Sequence, residues 1–103
     1  MSATDQDIVD LKLSAMRALL GNVTANLAGV AVHFEQRRIV LSAFFFAEPD
    51  EKDTNGVQYA ATLVIADFQD RFTIETRLWL IPETDIGAAS YRWVFLRAEV
   101  QAE

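Results

Sequence analysis

The chain reads as an α+β domain: a four-stranded, mainly antiparallel sheet with two helices on one face, elements in the order αββαββ. Three observations predict it. Residues 5–20 and 49–67 repeat apolar side chains at helical spacing; residues 27–46 turn β-branched and aromatic around one polar break; residues 72–80 alternate apolar with polar. A length of 103 residues allows one domain, here 1–103 with a frayed start at 1–6, and can bury a core without metals or disulfides.

In the first helix, Ile8, Leu11, Ala15, Ala18 and Leu19 form the apolar stripe and Gly21 supplies the C-terminal cap. Asp5, Asp7 and Asp10 place negative charge at the positive end of its dipole. Strands at 27–34 and 38–46 flank Glu35-Gln36-Arg37-Arg38 as an antiparallel hairpin. In the second of them, Ile39, Leu41, Ala43 and Phe45 share one face and Val40, Ser42, Phe44 and Phe46 the other. A strand apolar on both faces belongs in the middle of a sheet, covered from both sides.

Pro49 suits the first turn of the second helix, and Asp50, Glu51 and Asp53 again favour a helix N-terminus. Val57, Ala60, Ala61, Val64 and Phe68 make its stripe; Gly56 weakens it by about 1 kcal/mol relative to alanine. Phe72, Ile74, Leu78 and Leu80 give the third strand its dry face, and Glu75 and Arg77 its wet one. Pro82 stops that strand, a loop follows at 82–89, and the last strand spans 90–98 with Tyr91, Trp93 and Phe95 facing one way.

Little in this sequence carries catalytic chemistry. With no cysteine and one histidine, thiolate nucleophiles, disulfides and cysteine-type zinc sites are excluded, and His33 has no second ligand near it. Ser14, Ser42 and Ser90 sit in no nucleophile elbow, and the pairs Asp67/Asp70 and Glu83/Asp85 lie in polar turns where carboxylates are usually solvated. No Gly-rich phosphate loop is present. The expectation is a non-enzyme with no catalytic, cofactor-binding or metal-binding residues.

Fifteen carboxylates against nine Lys and Arg leave a net charge of −6, which repels phosphate backbones and argues against direct nucleic-acid binding. Acids where a signal peptide carries lysines, and no apolar run of membrane-spanning length, predict a cytoplasmic protein with no membrane partner. Trp79, Tyr91 and Trp93 stand apart: if the helices cover one sheet face, these rings collect on the other. Rimmed by Glu75, Arg77, Arg92 and Arg97, they would form a protein-interaction surface or a homodimer seam.

Three segments carry a resemblance: Lys12-Leu13-Ser14-Ala15-Met16-Arg17-Ala18-Leu19-Leu20-Gly21-Asn22-Val23-Thr24, then Val64-Ile65-Ala66-Asp67-Phe68, then Trp93-Val94-Phe95-Leu96-Arg97. In this order the chain resembles, from about residue 12 to 97, the bacterial immunity proteins of contact-dependent growth inhibition. It departs from that pattern at Ala25, where a proline often follows the threonine, and in an acidic start before Lys12. The resemblance implies a protein that binds a cognate toxin domain in a 1:1 complex and blocks its active site or substrate groove. Contact candidates are then the acids least explained by helix termini, Asp67, Asp70, Glu75, Glu83 and Asp85, with Trp79, Tyr91 and Trp93. Two other readings stay open: a homodimeric structural or regulatory protein paired through a sheet edge or aromatic face, and a small-molecule-binding or enzymatic domain with a polar pocket around His33.

Overall fold

Thr4 starts the first helix, α1 (Asp5–Ala18), through a reciprocal cap: its hydroxyl accepts from the Asp7 N–H at 3.1 Å and its own N–H donates to the Asp7 carboxylate at 3.0 Å. The computed structural model describes residues 4–68, 71–81 and 93–96. Leu11, Ala15 and Ala18 turn inward. The helix ends two residues short of the expected 20, and Gly21, at φ +81°, takes the left-handed turn beyond it.

Strand β1 (Leu27–Glu35) and strand β2 (Arg38–Phe45) form a hairpin closed by the pair Glu35 and Arg38, with Gln36 in the left-handed region at φ 57°. An irregularity between Leu27 and Gly29 shifts the register, so Leu27 and Val30 both face the helices while Ala28 and Ala31 face away. On β2, Ile39, Leu41, Ala43 and Phe45 pack toward the helices, and Val40, Ser42 and Phe44 point to the other side. All seven are at most 3% exposed, so β2 is buried on both faces.

Helix α2 (Glu51–Ala66) starts at Asp50 and not, as the proline suggested, at Pro49. The Asp50 carboxylate caps the Asp53 N–H, and Asp53 in return accepts from the Asp50 N–H, which leaves Pro49 just outside the helix. Asp53 also accepts from the Thr24 hydroxyl and, at 3.0 Å, from the Asn26 amide. Asn26 in turn brackets the backbone of Ala47 with two 2.9 Å hydrogen bonds. One buried carboxylate thereby ties the entry to β1, the exit from β2 and the start of α2. Gly56 also has a purpose: a Cβ there would lie 3.1 Å from the Asn22 carbonyl oxygen, so a small residue lets this loop lie against α2.

After α2 come β3 (Thr73–Leu80) and β4 (Trp93–Leu96), giving the spatial order β3-β2-β1-β4. β1 is antiparallel to β2 and to β4, but β3 runs parallel to β2, so the sheet is mixed. The reason is the connection: α2 carries the chain back along the sheet, and β3 starts at the end where β2 started. The remainder of the expected last strand, 90–92 and 97–98, and the loop 82–89 lie outside the described residues. At the far end of the core, Phe34, Phe68 and Phe72 meet with ring centroids 4.8–6.2 Å apart. The Arg71 guanidinium lies 5.4 Å from the Phe72 ring and 3.1 Å from the Asp7 carboxylate, joining β3's approach to α1.

Removing the Asp53 carboxylate should cost far more than removing an exposed first-turn acid. Asp53→Ala loses a cap and leaves part-buried donors unpaired, an expected loss of about 2–3 kcal/mol in urea unfolding, against less than about 0.5 for Asp5→Ala. Equal effects from the two would remove Asp53 from this role.

Candidate functional site

Strand alternation sorts the side chains of the helix-free sheet face into two halves. One half is aromatic. Phe44 and Trp79 are register partners on β2 and β3, stacked with centroids 6.4 Å apart and planes 17° from parallel. Trp93, opposite Ala31, brings its ring to 5.1 Å from Phe44. Phe44 is fully buried, whereas Trp79 keeps 38% of its surface in solvent, a large ring held in place by a buried one. Ala28, Ala31 and Ile81 complete this cluster, the two alanines leaving room for the rings.

The other half is ionic. Arg77 reaches from β3 across β2 to β1: its Nε donates to Glu75 Oε2 at 2.6 Å, and its two terminal nitrogens donate to the two Glu35 oxygens at 3.2 and 3.3 Å. Arg38 closes the ring from below, 3.2 Å from Glu75 and 3.5 Å from Glu35. His33 Nε2 lies 3.0 Å from Glu35 Oε2. Val40 sits in register between His33 and Glu75 and is fully buried, although among the described residues no helix covers this side. Two carboxylates against two guanidinium groups make the cluster neutral. The hydrogen bond with His33 and the two from Arg77 hold the Glu35 carboxyl below its ordinary value of 4.5, and the hydrogen bonds to Glu75 first and then Glu35 raise Arg77.

The expected site residues divide. Trp79 and Trp93 come together around Phe44, and Glu75 lies on the same face in the ionic half. Asp67 does not join them. It caps the end of α2 in the helical layer, accepting from the Ser14 hydroxyl and, at 3.3 Å, from Arg17, so it clasps the two helices together. Asp70, Glu83, Asp85 and Tyr91 lie outside the described residues. Among the described residues His33 heads no polar pocket; its ring is hydrogen-bonded to Glu35 at the edge of the ionic cluster.

Two features escaped the sequence reading. Glu35 and Arg38, read as hairpin punctuation, are central to the ring, and their partners on β3 are too distant in sequence for any local pattern to reveal. The second was visible: Val9, Leu13 and Met16 on α1 and Leu20 just past its end recur at spacings of four, three and four, a second apolar stripe outside the buried one. They are 47–78% exposed, and Tyr59 and Leu63 of α2 are exposed as well.

Among the described residues no group of three or more His, Asp or Glu side chains is placed to hold a metal, and no helix is long and apolar enough to cross a membrane. A small two-layer domain whose distinctive surface is a rigid set of rings beside preformed ion pairs has the character of a protein-binding module. The family model described as MafI2 immunity protein matches residues 8–99, and the chain belongs to that family. No curated protein matches it. The chain is thus an immunity protein of the Maf toxin system and not an enzyme, related to the contact-dependent inhibition immunity proteins that the sequence resembles.

Acid should weaken this structure in a defined window. Glu35 is held low as above. Asp7 is lowered by the Thr4 N–H and by Arg71, and at Asp53 burial opposes ionisation but the hydrogen bonds from Thr24, Asn26 and Asp50 outweigh it. Depressed carboxyl groups stabilise the fold above their ordinary values, 3.8 and 4.5, and lose that contribution as pH falls through their folded values. The melting temperature should therefore be level above about pH 5 and fall steadily below it, more shallowly in Asp53→Asn. A melting temperature that stays level to pH 3 would contradict the assignment.

Proposed function

We propose that this immunity protein neutralises its cognate toxin domain in the cytoplasm by binding it, one toxin domain per chain, on the helix-free face of the sheet, which blocks the toxin's active site or substrate groove. The observation that carries this reading is Trp79, 38% exposed and stacked on buried Phe44, against which Trp93 also packs. Binding energy at protein interfaces concentrates in such anchored aromatic residues, and a ring already fixed in the free protein loses little entropy on docking. Glu35, Arg38, Glu75 and Arg77 supply a polar rim whose geometry is set before the toxin arrives.

The net charge of −6 has a separate part in the proposal. It draws in a toxin with a basic substrate groove and raises the association rate, while the chain itself contacts no nucleic acid. Asp67 contributes to this long-range field from the helical layer, and Asp70, Glu83, Asp85 and Tyr91 complete the proposed contact set. Delivery of the toxin by cell contact fits the same scheme.

One observation favours a second docking surface, the exposed stripe of Val9, Leu13 and Met16 on α1 with Leu20 just beyond it. The two surfaces separate by calorimetric titration with the toxin domain. Trp79→Ala should weaken binding by about 2 kcal/mol, roughly thirtyfold, with a fold unchanged by circular dichroism, whereas Leu13→Glu should leave affinity within about threefold. The reverse pattern would move the docking site to α1, and loss of growth protection on co-expression should follow whichever variant loses affinity.

A further inference from the structure

The outer side of β3 is an open edge: among the described residues β2 pairs its inner side and no strand pairs the other. The Thr73 N–H donates inward to the Arg37 carbonyl at 3.0 Å. Along a strand the backbone groups alternate, so those of Ile74, Thr76, Leu78 and Leu80 point outward. Such edges are commonly blunted by proline, lysine or a bulge, yet Thr73–Leu80 contains neither residue and runs in unbroken register with β2.

We propose that this edge pairs with the same edge of a second copy, antiparallel about Thr76, joining two sheets into one of eight strands. Backbone parity allows only registers in which outward residues face outward residues. Centring the two-fold axis on Glu75 sets Glu75 against Glu75 of the second copy, and centring it on Arg77 opposes the two arginines. Centring it on Thr76 sets Glu75 against Arg77 twice, Ile74 against Leu78 twice, and uses the strand from Thr73 to Trp79 in full. The 39% exposure of Leu78, on the helix side of the edge, is then explained, because Ile74 of the second copy covers it. The neutrality of the Glu35–Arg38–Glu75–Arg77 ring matters too: two chains of charge −6 meet where each is locally uncharged. Both helix-free faces lie on one side of the joined sheet, so dimerisation leaves them open; this inference does not depend on the toxin-docking reading.

The test is the mass of the full chain, without toxin, by analytical ultracentrifugation. Twice the 11.6 kDa of one chain is expected at micromolar concentration. Thr76→Pro removes the outward N–H at the axis, and Leu78→Lys puts charge on the seam at an exposed position; each should raise the dimer dissociation constant at least about tenfold while the far-ultraviolet spectrum stays native. Leu13→Glu, on α1, should leave the dimer intact. A wild-type monomer, a dimer undiminished by Leu78→Lys, or a dimer dissociated by Leu13→Glu would each overturn the proposal.

Discussion

The burial of β2 on both faces is the constraint from which the rest of the molecule follows. Seven consecutive residues, Ile39 to Phe45, lie out of solvent, so each side of the strand requires a cover. The two helices supply one. Among the described residues no helix lies on the other side, where side chains make the cover: Trp79 and Trp93 over Phe44, and the Arg77 guanidinium spanning to Glu35 past Val40. A surface built this way shields the core and is exposed to partners at the same time.

Six of the described carboxylates have structural partners. Asp7, Asp50 and Asp53 cap helices, Asp53 also holds together three chain segments, Asp67 joins α1 to α2, and Glu35 and Glu75 neutralise arginines. These acids serve the fold first. Their charges still add to the net field of the chain, and such a field acts on association rate more than on the stability of a final complex.

Much of this architecture was legible from local pattern. The buried stripe of α1, the hairpin around Gln36 and Arg37, and the two-faced apolar character of β2 each follow from periodicity over fewer than about a dozen residues. The direction of β3 does not, since alternation is the same for a parallel and an antiparallel strand; only the helix between β2 and β3 hinted at a crossover. The shift at Leu27–Gly29 was likewise hidden, because the bulge moves Ala28 and Ala31 to the ring side without altering composition. Of the candidate site, the tryptophans were found through their mismatch with a one-sided cover. The partners of Glu35 and Asp67 were not, because those contacts close over 42 and 53 residues of sequence.

An immunity protein must refuse other toxins as well as bind its own, and the ionic half of the sheet face bears on that requirement. Glu35, Arg38, Glu75 and Arg77 satisfy one another in the free chain, so a partner that covers them without offering matching donors and acceptors would desolvate the cluster for no return. An apolar patch alone has no such penalty and would accept many surfaces. In the proposed complex, rings beside a self-satisfied ion-pair cluster would divide the work: Trp79 and its neighbours would provide adhesion, and the fixed charges would make that adhesion conditional on a complementary partner.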